Sequence, residues 1–319
     1  MKKICVTGAN GFVGKSVCKI LSNSDRIVRG FVRKTNPSLD LNNVEYVEVG
    51  DITLKKNWKN LLTGYDCLIH CAGKAHEVKK MDNKEDFIRA NVQATRQLAE
   101  QAAEAKIKRL IFLSSIKVNG ENTDDNKKNL NSNLFKFDDL PNPKDVYAKS
   151  KFEAEKVLWE ISKKTNLEIV VLRLPLVYGH GVKGNLMRLI KLVKYGIPLP
   201  FYLVKNQRSM IGIDNLIDIL IQCIEHPQVS GKTFLVSDGQ DLSTPELINY
   251  ISSASNCPSL LFPFPITLLK IFSRIIKRQN EMDRLLGSLQ VDSSYLREVL
   301  DWTPSVTVKE GIRRMVKNK

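Results

Sequence analysis

Residues Ile4 to Leu21 read ICVTGANGFVGKSVCKIL: an apolar β-branched run, a turn with three spaced glycines, and a helical pattern. Few local structures satisfy that order. Gly8 permits the tight turn, Gly11 lets backbone approach a pyrophosphate, and Gly14 lets the helix lie against the strand. Asn10, Phe12 and Val13 lie between them, where a helix begins and its free N–H groups and dipole favour a diphosphate. A strand–turn–helix unit for a dinucleotide is the reading. NAD-binding units carry an acid about twenty residues further on, against the adenosine ribose. Here IVRGFVRKTN, Ile27–Asn36, supplies Arg33 and Lys34, with Arg29 nearby. Cations at that place pair with a 2′-phosphate that an acid would repel, so NADP(H) is favoured over NAD(H).

Beyond that unit, apolar runs alternate with helical patterns. KKICVTG, RIVRGFVR, VEYVEVGD, DCLIHCAG, KRLIFLSS and EIVVLRLP read as strands; Val13–Leu21, DFIRANVQATRQLAEQAAEAK and SKFEAEKVLWEISKKTN read as helices. Apolar strands separated by helices imply a parallel sheet covered on both faces. The expected fold is α/β, a Rossmann-type doubly wound parallel sheet with a smaller, partly discontinuous C-terminal substrate lobe. Residues 1–175 would form the dinucleotide domain, with a return segment near 209–236; residues 176–208 and 237–319 would form the lobe. Within the lobe TFLVSDG reads as an isolated strand. SGKT, Ser230–Thr233, resembles a phosphate-binding loop but lacks the earlier glycine and leads into a strand, so it is discounted.

The six cysteines show no metal-ligand spacing, and the start of the chain is too short in apolar residues for a signal peptide; reduced thiols and a cytoplasmic location are expected, with no metal. The formal net charge is +15, but the lysines are scattered and no nucleic-acid motif is present, so no nucleic-acid partner is expected.

DVYAKSKFEAEK sets Tyr147 and Lys151 four apart where a helix begins, on one face. A neighbouring ammonium favours the phenolate and suits the tyrosine to acid/base work. Together with TGANGFVG, GDI (Gly50–Ile52), HCAG (His70–Gly73), NVQAT (Asn91–Thr95), LSSIKVNG and the closing LDWTPSVTVKEGI, the chain resembles the extended short-chain dehydrogenase/reductase family over its whole length. Members act mostly on nucleotide sugars. The resemblance implies Tyr147 as acid/base, Lys151 lowering its pKa and touching the nicotinamide ribose, and Ser115 hydrogen-bonding the reacting oxygen. It implies Asp51 and Ile52 at the adenine, Ala72, Gly73, Lys74 and Pro175 along the cofactor, and Asn91 beside it in a structural role. On the substrate side it implies Lys117, Asn185, Leu186, Pro200, Phe201, Arg208 and Arg284: Asn185 at the diphosphate of a UDP-sugar or capping a helix, Arg208 clamping a phosphate, and Arg284 either a second clamp or a surface arginine. A homodimer through the two long helices is the family's habit.

Two departures narrow the chemistry. Sugar 4,6-dehydratases carry an Asp-Glu pair after the active Ser/Thr, and here Ile116 and Lys117 stand there. Leu176 replaces an asparagine expected near the substrate of 4-epimerases. The expectation is an NADP(H)-dependent reductase of a UDP-4-keto-6-deoxy-N-acetylhexosamine in bacterial polysaccharide precursor synthesis. The alternatives are a UDP-sugar 4-epimerase holding NAD tightly, and a non-catalytic NADP-binding regulator. The stretch ITLLKIFSRIIKRQNEMDRLL, with Lys270, Arg274, Lys277 and Arg278 among apolar residues, has two readings. It is a lobe helix burying its apolar side over the substrate, or an amphipathic helix lying on a membrane.

Overall fold

The computed structural model describes residues 2–35, 41, 43–75, 84–124, 134–275 and 278–317. Seven strands form one parallel sheet: β1 (Lys2–Thr7), β2 (Arg26–Val32), β3 (Val44–Glu48), β4 (Cys67–His70), β5 (Arg109–Ser115), β6 (Glu168–Leu174) and β9 (Lys232–Leu235). Their order across the sheet is β3-β2-β1-β4-β5-β6-β9. The chain winds outward from β1 to β3, returns, and winds the other way from β4. A crevice therefore opens between the C-terminal ends of β1 and β4, where such sheets bind ligands. β9, which reads in sequence as isolated, pairs with β6 in the register Val170↔Lys232 to Arg173↔Leu235. Its buried Phe234 and Leu235 explain why it joins the main sheet.

Helices cover both faces, as fully apolar strands require. On one face α1 (Phe12–Leu21), α7 (Ile213–Glu225) and α11 (Ser294–Leu300) pack around Ile4, Val6, Ile69 and Ile111. On the other, α2 (Trp58–Leu62), α4 (Ala94–Glu104) and α5 (Val146–Lys164) cover Cys5, Leu68, Leu110 and Val171. Between β4 and α4 the predicted long helix is composite. A short turn, α3 (Lys84–Phe87), runs into a π-helical segment, Ile88–Gln93, before α4. The extra residue in that turn displaces the register of the helix at Asn91, which is buried.

The rest of the C-terminal half builds a separate core. A small parallel pair, β7 (Leu176–Tyr178) and β8 (Met210–Gly212), adjoins α6 (Gly184–Lys194), α8 (Thr244–Ser255), α9 (Ile266–Ile275), α10 (Gln279–Leu286) and α12 (Val308–Lys317). α8 shows why the sequence folds so locally. Ser243 caps it reciprocally with Glu246, Pro245 lies in its first turn, and Asn256 closes it in the left-handed region. Among the described residues no helix is long and apolar enough to cross a membrane. Lys277, one of the cations counted in the sequence, lies outside the described residues.

Candidate active site

The glycine turn lies at the crevice. Gly8 has φ +65°, and a Cβ there would sit 3.0 Å from the backbone of Ala72 after β4. At Gly14 a Cβ would come 2.3 Å from the Gly8 carbonyl oxygen. The Gly11 N–H donates to that carbonyl at 2.8 Å, closing the turn and aiming the start of α1 outward. Asn10 and Gly11 are exposed, and Phe12 and Val13 partly so. This is a cradle in which side chains have been removed where a pyrophosphate needs backbone, and it fits a dinucleotide.

The edge meant for the adenosine carries both signs. Arg33 follows β2, is exposed, and has no hydrogen bond or ion pair among the described residues. Its field, after the Thr53 N–H bond, helps hold the exposed Asp51 carboxyl below its ordinary range. Lys34 has the same effect on Glu48, whose carboxylate accepts from Thr35. Arg29 does not join them. It pairs with Glu45, its register partner on β3, donates to the Leu61 carbonyl at 2.8 Å and lies over the Tyr65 ring.

At the C-terminal end of β5, Ser115 lies close enough to the Tyr147 hydroxyl to draw its pKa down. Asp145 caps α5 through the Ala148 N–H at 2.6 Å and sets Tyr147 in the first turn. Burial pushes the phenol pKa up, Ser115 pulls it back, and the Asp145 charge adds to the rise. One turn on, Lys151 is buried. Its Nζ donates to the Leu113 carbonyl at 2.7 Å and sits 4.3 Å from the centre of the Phe112 ring. Burial drives its pKa from 10.5 down to about 8, opposed by the Glu155 charge. The ammonium is turned to Leu113, and the groups that shift the Tyr147 pKa are its burial, Ser115 and Asp145. A Cβ on Gly73 would lie 3.6 Å from that Nζ and 3.1 Å from Asn91 Oδ1, so Gly73 keeps the space beside Lys151 open.

A depressed lysine pKa is a stability cost. Below about pH 8 the folded state holds a buried ammonium; between 8 and 10.5 the unfolded chain binds more protons, so stability attributable to Lys151 rises with pH. We expect Lys151→Met to stabilise the fold at pH 7 by about 2 kcal/mol, after allowing for the unpaired Leu113 carbonyl. The gain should shrink at pH 9.5. Urea melts at both pH values check this; an equal gain at both would show that the buried charge is not its source.

Two buried networks behind these residues escape a reading by motif. Thr7 and His70 are register partners on β1 and β4. Thr95 donates to the Asn91 carbonyl at 2.7 Å, so its oxygen accepts from His70 Nε2–H at 3.0 Å. His70 Nδ1 then accepts from Thr7 at 2.7 Å, and the Thr7 oxygen accepts from the Ala72 N–H at 3.2 Å. Burial holds the imidazole neutral, its pKa near about 3. The chain of bonds fixes Ala72 against the glycine turn. Asn91 clamps the next step, accepting from Lys74 N–H at 2.8 Å and donating to the Lys74 carbonyl at 3.0 Å and to Ser150. Lys74 itself reaches Asp86 and Phe87. The second network is charged: Glu155 accepts two bonds from Arg173, at 2.7 and 3.1 Å, and one from Ser114. Arg173 also donates to Asn119 at 2.9 Å. The clue was a glutamate one turn beyond Lys151 on a buried face, opposite an arginine inside an apolar strand.

On the substrate side the structure separates the expected residues. Arg208 donates to the Gly287 carbonyl at 2.9 Å and is held down to about 10 by burial and by the charge of Arg284. The two guanidiniums concentrate positive charge on that side of the C-terminal core. Glu121 connects it to the acid/base group, because it influences Arg208 and pairs with Lys117 at 2.9 Å. Lys117 is not free for a substrate; it also pairs with Asp145 at 2.5 Å, and so fastens the cap of the Tyr147 helix. Burial raises the Asp145 pKa, but the bonds from Lys117 and the Ala148 N–H outweigh it and leave the carboxyl low. Asn185 is exposed in the first turn of α6. Leu186 and Phe201 pack into the C-terminal core, Pro200 is half-buried, and Pro175 is buried between β6 and β7. Ile52 packs against the second core and Leu176 is exposed. No cluster of metal-ligating side chains exists among the described residues.

Known proteins resemble the chain in sequence and fold. The chain is 40% identical to a UDP-glucose 4-epimerase of Vibrio cholerae, over 98% of this chain and 94% of that one. It is 22% identical to an N-acetyl-α-D-glucosaminyl-diphospho-ditrans,octacis-undecaprenol 4-epimerase of Escherichia coli O157:H7, over 83% and 77% of the two chains. The crystal structure of a Bacillus cereus UDP-glucuronic acid 4-epimerase in complex with NAD superposes with a TM-score of 0.80 at 23% identity, covering 99% and 96%, which establishes the shared fold. With residues 4–237 matching its profile, the chain belongs to the NAD dependent epimerase/dehydratase family.

Proposed function

We propose that the protein performs hydride chemistry at C4 of a UDP-linked hexose or N-acetylhexosamine. Tyr147 exchanges the proton of the C4 oxygen and Ser115 holds that oxygen. The observation that carries the reading is Tyr147 in the first turn of α5, one turn before buried Lys151, with Ser115 at the end of β5 drawing its pKa down. A nicotinamide cofactor, when bound, supplies the hydride acceptor or donor. Gly8, Gly11, Gly14 and the first turn of α1 would hold its diphosphate, and Asp51 and Arg33 would border its adenosine. Lys151 would turn from Leu113 to the ribose beside Gly73. Arg208 and Arg284 would hold the sugar's diphosphate, whose charge relieves their repulsion.

Two fates of the hydride follow. Its return to the same sugar makes a 4-epimerase, the reading supported by the full-length relative with 40% identity. Net delivery to a 4-keto-6-deoxy sugar makes a reductase, the reading favoured by Arg33, which has no partner among the described residues, and by NADPH as its reductant. NMR of UDP-glucose and UDP-N-acetylglucosamine incubated with the protein decides the first. Conversion to the C4 epimer without cofactor consumption supports the epimerase. NADPH loss only with added UDP-4-keto-6-deoxy-N-acetylglucosamine supports the reductase, and inertness in both assays overturns the proposal.

The cofactor preference has its own test. We expect Arg33→Ser to weaken NADPH about 10- to 100-fold, the worth of one charge-assisted bond, and to leave NADH within about twofold. Titration of both cofactors checks it, and equal effects on the two would remove the 2′-phosphate reading. A homodimer across the exposed faces of α4 and α5, where Arg96 meets Glu160, belongs to the same proposal.

A further inference from the structure

The helix α9 carries two apolar faces. Leu269 and Ser273 are buried and fix it to the C-terminal core, in which Leu269 takes part. Leu268, Ile271, Phe272 and Ile275 are exposed by 48, 52, 57 and 71%. Their spacing is i, i+3, i+4, i+7, so on a helix they form one stripe about 100° wide. The stripe faces solvent, the reverse of what a helix that only covers a core would show. Two further exposed aromatics, Tyr202 and Phe262, are joined by the Tyr202 N–H bond to the Phe262 carbonyl, and Phe262 precedes α9 by four residues.

We propose that this face docks on an anionic phospholipid bilayer. Charge chooses that occupant over an apolar protein partner. Lys270 and Arg274 are exposed beside the stripe, and α9 contains no acid. Of the acids on neighbouring α10, Glu281 is held between Arg188 and Arg278, and Asp283 remains exposed. The whole chain carries +15, which adds long-range attraction to a negative surface. A helix with aliphatic and aromatic side chains on one face and cations at its margin seats in the headgroup–acyl boundary. Peripheral docking needs no membrane-spanning helix.

Pelleting of the full-length protein with vesicles tests this without reference to any enzymatic activity. Wild-type protein should pellet at least tenfold more strongly with phosphatidylcholine–phosphatidylglycerol vesicles than with phosphatidylcholine alone, and less as salt rises. Ile271→Glu/Phe272→Glu should weaken that binding tenfold or more with an unchanged melting temperature. Ile275→Glu, at the most exposed of the four positions, gives the same readout if the double variant melts lower. Lys270→Glu/Arg274→Glu should lower binding to the anionic vesicles. Wild-type protein that stays in the supernatant with both vesicle types overturns the proposal, as do apolar-to-Glu variants that pellet like wild type. So does sedimentation velocity showing a dimer that Ile271→Glu/Phe272→Glu dissociates, because the stripe would then belong to a second copy of the chain.

Discussion

Tyr147→Phe should lower turnover by about 10²–10⁴-fold, the range that a positioned proton-transfer group contributes. Binding of cofactor and UDP-sugar should stay within a few-fold, because the ring remains. Phe87 packs edge-on to Tyr147 with ring centroids 6.4 Å apart, so the phenyl ring keeps its packing. What is lost is the hydroxyl whose pKa Ser115 draws down. Ser115 then faces the reacting oxygen alone; it can orient that oxygen but has no means of taking its proton near neutral pH. The measurement is initial rate under saturating substrate, by NMR of the product, alongside calorimetric binding of the nucleotide sugar. Retention of more than a tenth of wild-type turnover would assign the proton step to another group.

The second large effect is expected away from the reacting atoms. Glu155→Ala should cost about 3–5 kcal/mol, because it leaves the Arg173 guanidinium buried and unpaired. Arg173 and Glu155 are 5% and 1% exposed, so water cannot repair the loss. Ser114 loses its acceptor in the same change. Glu155 also opposes the fall of the Lys151 pKa, so its removal should move any activity limb governed by Lys151 to lower pH. Replacing both members by apolar residues, Glu155→Leu/Arg173→Met, should recover most of the stability, since an isosteric apolar pair carries no desolvation penalty. It should not restore the Lys151 limb. Denaturant melts and pH–rate profiles of the three proteins separate the two roles. A single variant as stable as wild type would mean that Arg173 finds another partner.

The nucleotide half of the site was legible because its constraints are local. A strand, a turn that needs φ above zero at Gly8 and a helix start follow one another in sequence, and hydrophobic period alone marks the strands that line up behind them. Tyr147 and Lys151 were legible for the same reason, as neighbours one turn apart on a single helix. The long-range partners were not. Nothing adjacent to Lys117 announces that Asp145, 28 residues away, will take its ammonium. Leu186 and Phe201 lie close in sequence to a plausible sugar pocket, yet they pack inward, and only the tertiary arrangement of α6 against α8 decides which side of a loop is core. The composite helix at Asn91 shows the same limit: its sequence reads as regular helix, and the π turn is stabilised by the Lys74 backbone that Asn91 grips.

The sequence by itself determined the parallel α/β class, the dinucleotide turn and the residue types for acid/base work, because propensity, period and backbone freedom act within about one turn or strand. The tertiary structure alone decided which charges are paired off and which stay available. It turned Arg29 to Glu45 and left Arg33 without a hydrogen-bond or ion-pair partner among the described residues, locked Lys117 to Asp145, and brought the charge of Arg284 to bear on Arg208 across 76 residues of chain. It also turned the stripe of α9 to solvent. The physical reason is that charge pairing and burial depend on distance in space, which packing sets and sequence neighbours do not.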